Sequence, residues 1–384
     1  MKKTRLFSLL ALLLACATLF GACAKRPAAF EEPEATASAE PTAEAEATST
    51  PTPAPTPTAT PEPTATPEPT PAPVYKNPLT GEDCDKDLSG TRPVAVMVEN
   101  NRIIGGPVIG MYGINDADIL YEMEVEKITR TMAVYSDISK AGPICPIRSA
   151  RTYFVSIAMG YDAIYAHCGY SAEGADWAGV MLDNNFTNDN INVDVTNGYR
   201  VDEYPHNGEH GLFTSGELLT KYIDENGVRT AHENAAFDYG MRFSDTPATV
   251  NGEAANSVRI VFPEFKITSF TYNAEKGGYI GNNWDIEWID CNNDEPGVFQ
   301  NVIVLNAPTQ IGIDDKWHSA ITVTNYTGNG WYCNGGKFVP ITWQRGDDHD
   351  CFHYFDEAGN ELQLGVGRTY VGIMSTAHGG VTFG

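Results

Sequence analysis

Between residues 27 and 73 the chain holds 13 Pro, 12 Ala, 11 Thr and 8 Glu, no Lys or Arg, and one aromatic residue, Phe30. Such a segment cannot bury enough apolar surface to offset the entropy of ordering its backbone, so it is expected to stay unfolded. Its Thr-Pro and Glu-Pro repeats favour polyproline II, a semi-rigid spacer that over this length reaches at most about 145 Å. The stretch reads as a stalk holding a domain off a surface or as a plain connector, and Thr-rich Pro tracts also carry O-linked sugar. On every reading the folding part of the chain begins near Val74-Tyr75.

Ahead of this tether, Lys2, Lys3 and Arg5 precede an apolar run from Leu6 to Phe20, followed by Gly21-Ala22-Cys23. That order is a secretory signal over residues 1–22, and its apolar run is shorter than the roughly 20 residues a membrane span needs. A Cys placed straight after small residues resembles the lipobox of bacterial lipoproteins. The resemblance implies that Cys23 is diacylated and becomes the first residue of a chain anchored on the outer side of the membrane. Cys16 also follows Leu-Leu-Ala, but it lies inside the apolar run. The alternative is ordinary secretion with cleavage after Ala22.

The 384 residues allow two or three domains. With 25 Lys+Arg against 50 Asp+Glu the formal charge is −25, which excludes nucleic acid as a partner, because neutralising phosphates needs a basic surface. An apolar content of 42% is enough for a real core.

From Arg92 onward, apolar runs alternate with helix-like stretches. Pro93–Val98 is a core strand by its continuous apolar run. Ile119–Glu126 alternates, with Ile119, Tyr121, Met123 and Val125 on one face and Leu120, Glu122, Glu124 and Glu126 on the other. Thr129–Tyr135 alternates too, and the short Lys127-Ile128 connection predicts a hairpin. Ser149–Met159 and Ser215–Asn226 have helical spacing, the second stopped by Gly227, and Asp162–His167 reads as a strand. After about residue 245, short β-rich runs at Ser257–Val261, Phe270–Tyr272, Val302–Leu305, Ala320–Thr324 and Thr369–Ile373 are divided by Gly, Asn and Asp turns. Trp331–Val339 reads as a hairpin about an Asn-Gly turn. The predicted class is α+β, with a mixed α/β N-terminal domain over residues 76–245 and a β-rich, mainly antiparallel C-terminal domain over residues 250–384.

Within these runs stand Arg92-Pro-Val-Ala-Val-Met-Val98 with Asn100, Ala117-Asp118, Tyr121-Glu122, Glu126 and Thr129-Arg130. Gly142-Pro143, Ile147-Arg-Ser-Ala-Arg151 with Tyr153, Tyr165-Ala-His167 and Gly169 follow. Further on come Phe270-Thr-Tyr272, Asn301-Val-Ile-Val304, Gly335-Gly-Lys337, Ile341-Thr-Trp343 and Gly365-Val-Gly-Arg-Thr369. This set resembles the YerB-like family of bacterial lipoproteins over roughly residues 78–375. The resemblance implies two linked domains and a lipid anchor, and it implies no established activity, the family's function being unknown. The chain departs from the family pattern at Cys145-Pro146, inserted where the family runs from Gly-Pro almost directly into the Arg-Ser-Ala-Arg block. The family's histidine before a Leu-aromatic-Thr-Ser segment corresponds to His210, by direct spacing to Leu212-Phe-Thr-Ser215, or to His206.

Arg148 and Arg151, three apart at a predicted helix start, would share one face, and two cations there oppose the helix dipole and require anionic partners. Those partners are Glu122, Glu124 or Glu126 of the hairpin, with Arg130 joining the network, or a phosphate or carboxylate gripped by two guanidinium forks. His167 ends a strand and is a ligand contact, a general base or a hydrogen-bonded core residue. His210 is the other base candidate, with Glu122 or Glu126 as the acid. Cys168 with His206 or His210 is a further pairing, since the adjacent His167 points to the opposite face.

Asp202, His206, Glu209 and His210 are metal-ligand types, but Pro205, Asn207 and Gly208 oppose the helix that His-x3-His spacing needs. The Asn- and Asp-rich segment 183–194 lacks the Gly and terminal Glu of a calcium loop. No metal is therefore expected, and with no P-loop, dinucleotide fingerprint or nucleophile elbow, no cofactor either. Asp347–Asp350 reads as a solvated loop. The body carries Cys84, Cys145, Cys168, Cys291, Cys333 and Cys351. In an exported chain this even number suggests disulfides, Cys145–Cys168 and Cys333–Cys351 being plausible pairs, against the alternative of free buried thiols.

The sequence points to an extracytoplasmic binding or interaction protein held on the membrane through Cys23. Its N-terminal domain would present Arg130, Arg148, Arg151 and His167 to an anionic wall ligand or an envelope protein. The competing readings are a wall-polymer hydrolase using His167 or His210 with Glu122 or Glu126, and a structural envelope protein with no small ligand.

Overall fold

Strands β1 (Val94–Glu99), β2 (Ile119–Val125) and β3 (Ile128–Tyr135) send alternate side chains into two separate cores. Ala95, Met97, Ile119, Tyr121 and Met123 enter one, while Val94, Val96, Val98, Leu120 and Ala133 enter the other. This is the period of two that a pleated strand imposes. Both faces are covered, so β2 is buried at every position, the face carrying Glu122 and Glu124 included. In this computed structural model the described residues are 74–100, 110–171, 176–201, 210–262 and 266–384, and they fall in one compact unit. Cys16, Cys23, the 27–73 tether, Asp202, His206 and Glu209 lie outside the described residues.

Among the described residues, three α-helices and further strands complete the architecture. After α1 (Thr152–Gly160) come β4 (Ile164–His167), α2 (Ala178–Asn185), β5 (Asn190–Asn192) and α3 (Gly216–Glu225). The C-terminal half supplies β6 (Ser257–Val261), β7 (Ile267–Asn273), β8 (Gly278–Asn283), β9 (Asn301–Asn306), β10 (Tyr326–Asn334), β11 (Lys337–Arg345), β12 (Thr369–Met374) and β13 (Gly380–Phe383). The central sheet has 11 strands and runs β11-β10-β9-β12-β2-β3-β1-β4-β5, with short strands Glu253–Ala254 and His353–Phe355 both pairing β11. Helices α1 and α2 bury Phe154, Ile157, Ala158 and Leu182 on one of its faces. The other face is covered by Leu219 and Ile223 of α3 and by a second, antiparallel sheet that contributes Val258, Ile260 and Phe270. The class is therefore α+β, rich in strand toward the C-terminus.

Several expectations change in detail. The C-terminal half is mainly antiparallel as expected, with β12 pairing in parallel with both β9 and β2, and its strands continue the sheet begun by the N-terminal half. Helix α1 starts at Thr152 rather than Ser149. The preceding residues are held extended, Arg148 N–H donating to Met97 O at 3.1 Å and Ala150 N–H to Gly169 O at 3.0 Å. Arg148 and Arg151 thus do not lie on a helical face. Within Ala320–Thr324 only Ala320–Ile321 forms a strand. In the β10–β11 hairpin Asn334 pairs with Lys337, so the two turn residues are Gly335 and Gly336, at φ 62° and 75°, a turn that suits the strand twist. The Asp347–Asp350 loop folds over buried Arg345, which donates to the carbonyls of Asp348 and Asp350. All six cysteines described are free. Cys145 and Cys168 are not joined, and Cys333 and Cys351 face opposite cores, which keeps that expected pair apart.

The α1–β4 corner is tied by Asp162, which sits at φ 48°. Its carboxylate receives two guanidinium N–H groups of Arg229 at 2.7 and 2.8 Å, contacts His232 Nδ1 at 2.9 Å and lies 3.2 Å from Arg92 Nε. Burial pushes this carboxyl up, but the bonds from Arg229 and His232 and the charge of Arg92 outweigh it and hold it well below the usual carboxylate range. A depressed native pKa contributes stability above the unfolded value of about 4, and that stability is lost as pH falls below it. Asn tolerates positive φ, so Asp162→Asn removes the charge without straining the backbone. The variant is expected to lose about 2 kcal/mol at pH 7, with a urea midpoint that falls less than the wild type's between pH 5 and pH 3.

Candidate anion site

The ends of β1 and β4, the β2–β3 turn and the extended segment before α1 bring three arginines together. Arg130 lies opposite Glu99 in the β1–β3 ladder. Val125 pairs with Ile128, leaving a two-residue turn in which Glu126 takes φ 46°, an unfavourable conformation for a residue with a side chain. Glu126 meets two arginines there. Its Oε1 accepts from Arg151 Nε at 2.8 Å and Nη2 at 2.5 Å, and its Oε2 is 3.7 Å from Arg130 Nη2. On its other side Arg151 Nε lies 3.6 Å from Asp176 Oδ2. Asp176 Oδ1 accepts from the backbone N–H groups of Thr152 and Ala178, so one carboxylate caps the first turns of α1 and α2. Buried Glu99 is shared by Arg148 Nε at 3.3 Å and His210 Nδ1 at 2.6 Å.

Three cations so close are costly. Burial, then repulsion from Arg151 and Arg148, outweighs the attraction of Glu126 and Glu99 and lowers Arg130 to about 10. It still carries its proton at neutral pH. Its Nη1 donates to Ser149 O at 3.0 Å, but its Nε, though buried, has no acceptor among the described residues. The buried Tyr165 hydroxyl, within electrostatic reach of Arg130, Arg151 and Asp176, also has no partner among the described residues, nor does Ser171 Oγ. Unsatisfied buried donors are rare enough to need a reason, and the Tyr165 hydroxyl lies within the field of Arg130 and Arg151.

The other candidates are placed elsewhere. His167 is fully buried, its Nδ1 2.8 Å from Gly169 O and its Nε2 2.6 Å from Asn190 Oδ1. Burial pushes the imidazole below its ordinary value, so it stays neutral at pH 7. Glu122 does not meet the arginines. It is fully buried against Lys266 Nζ at 3.1 Å and takes hydroxyl bonds from Thr129 at 2.6 Å and Tyr370 at 2.7 Å. In the Asn/Asp-rich segment, Asp189 pairs with Arg92 at 2.7 Å and Asn190 bonds His167, so those oxygens serve the fold. Sequence reasoning missed Glu99, Asp176, Tyr165 and Lys266. A signal existed for Glu99, a charge ending an otherwise apolar strand. Asp176 and Lys266 reach their partners only through tertiary packing.

The geometry defines a two-part α+β protein whose halves share one sheet. Residues 79–229 match the family described as "Protein of unknown function (DUF3048) N-terminal domain", and residues 258–371 match its C-terminal domain. The chain belongs to this YerB-like family. It is 27% identical over 278 residues to "Putative lipoprotein YerB" of Bacillus subtilis (strain 168), an alignment covering 70% of this chain and 78% of that relative. The crystal structure of YerB protein from Bacillus subtilis has the same fold, with a TM-score of 0.66 at 23% identity over 80% of this chain and 99% of that one.

Removing Arg151 leaves Glu126 without its bidentate partner and Asp176 beside an apolar group. Arg151→Met is expected to lower stability by about 3 kcal/mol, read from urea midpoints. The double change Arg151→Met with Glu126→Gln should recover part of the loss.

Proposed function

We propose that the chain is an extracytoplasmic binding protein, anchored through a diacylated Cys23 and carried off the membrane by its 27–73 tether. Its ligand is an anion, a phosphate or carboxylate, taken between Arg130, Arg148, Arg151 and the Tyr165 hydroxyl. The lipoprotein name of its relative and the Gly-Ala-Cys leader support the anchor. One observation carries the ligand reading: a charged, buried Arg130 whose Nε has no acceptor among the described residues, with the Tyr165 hydroxyl close by and equally unpartnered there. An oxyanion would accept from these groups and offset the repulsion that lowers Arg130.

His167 is no ligand contact in this reading, since both ring nitrogens are engaged, and it fixes the end of β4 instead. A wall-polymer hydrolase has weaker support. His167 and Glu122 are enclosed and bonded, and Glu126 is occupied by arginines, which leaves it the His210–Glu99 pair.

The test is thermal unfolding of the full-length protein in inorganic phosphate, pyrophosphate and citrate at constant ionic strength, so that general screening is held fixed. A ligand of the native state stabilises by mass action, about 2.7 kcal/mol at a hundredfold excess over its Kd. The wild type should shift with at least one anion. Arg130→Met should not, and Tyr165→Phe, which removes only a hydroxyl, should shift less. Equal shifts in all three proteins, or none in the wild type, would reject the anion site.

A further inference from the structure

Lys266, Asn100 and Glu122 meet in the interior where the second sheet lies on the central one, and all three are fully buried. Glu122 Oε1 accepts from Asn100 Nδ2 at 2.8 Å and lies 3.1 Å from Lys266 Nζ. One carboxylate oxygen therefore touches both an amine and a carboxamide. Thr129 Oγ1 is 2.6 Å from that oxygen and 3.2 Å from Asn100 Oδ1. Glu122 Oε2 is held by the hydroxyls of Tyr370 at 2.7 Å and Thr268 at 2.8 Å. Asn283 Nδ2 donates to the main-chain oxygen of Asn100 and fixes the residue from its other side.

A dry Lys–Glu pair is a poor source of stability, because desolvating both charges costs about what their attraction returns. The same dryness makes the amine reactive. Burial pushes Lys266 below its ordinary value against the pull of Glu122, while burial of Glu122 is outweighed by the charge of Lys266 and by the hydroxyls, which hold that carboxyl low. Passing one proton from Nζ to the carboxylate converts the ion pair into a neutral pair and a free amine. The Asn100 carboxamide is bonded to the same carboxylate oxygen that Lys266 Nζ touches.

We propose that Lys266 and Asn100 join spontaneously through an intramolecular amide bond, with Glu122 transferring the protons. The Nζ lone pair attacks Asn100 Cγ, and the Thr129 hydroxyl hydrogen-bonds the charge that develops on Oδ1. Glu122 relays both protons that Nζ loses, one to Nδ2 in the tetrahedral adduct and one to the departing ammonia, which leaves as ammonium. The Cγ–Nδ2 bond breaks and a Cγ–Nζ amide remains. An ammonium and a primary amide become a secondary amide and an ammonium ion, with Glu122 regenerated and no change of oxidation state. The bond ties the end of β1 to the residue just before β7, and so joins the two sheets covalently.

Peptide mapping of the purified full-length chain by mass spectrometry tests this. The wild type should give a branched peptide carrying both Asn100 and Lys266, lighter than its two linear parts by one ammonia, about 17 Da, with no tryptic cleavage after Lys266. Lys266→Arg and Glu122→Gln should give the linear peptides alone. Recovery of unmodified Asn100 and Lys266 peptides from the wild type overturns the proposal, whether or not the variants fold. So does an ammonia loss confined to one linear peptide, which marks a cyclised asparagine. A branched peptide retained in Glu122→Gln would overturn the role given to Glu122.

Discussion

Everything in this fold depends on the parallel ladder between β2 and β12. Thr369 pairs with Ile119 and the register runs on to Ile373 opposite Met123, so a strand from near the C-terminus fills the gap between β9 and β2. Arg368 secures the junction. Its buried guanidinium donates to Ala117 O, 251 residues away, to Ile114 O and to Val298 O, and it lies over the Phe299 ring. With that ladder in place β2 is an interior strand, and its glutamates are enclosed rather than solvated. The second sheet then has a face to cover, and Lys266 is carried to Glu122.

The buried charges follow from the same enclosure. A strand buried on both faces ought to be apolar throughout, yet Glu99, Glu122, Glu124 and Arg130 are all buried in the central sheet. Glu122 is matched by an amine and hydroxyls from the second sheet. The Arg130 cluster is matched less completely, with donors left over near the strand ends. Ligand sites in open sheets tend to lie beyond strand ends, and this is where the imbalance collects.

Much of the fold was legible because it rests on local periodicity. The limits of β1 to β4, of α3 and of several C-terminal strands fall within a residue or two of those read from alternation and helical spacing. What failed was set by distant partners. Helix α1 starts late because Arg148 and Ala150 bond to β1 and to the chain after β4. The parallel pairing of β12 leaves no mark on its own residues, and the opposite facing of Cys333 and Cys351 depends on which core each strand serves. The arginine cluster was half legible. The residue types and Glu126 were foreseen, but Glu99 and Asp176 lie in other segments, and the assignment of Glu122 to the arginines ignored the sheet above it.

The β2–β12 ladder also sets an order of events during synthesis. At translation rates of about 5–20 residues per second, the partner of β2 emerges on the order of 10–50 seconds after β2 itself. Through that interval β2 presents a bare hydrogen-bonding edge, the kind of surface that pairs with whatever strand it meets. A stop codon gained before Thr369 would damage residues that were made first.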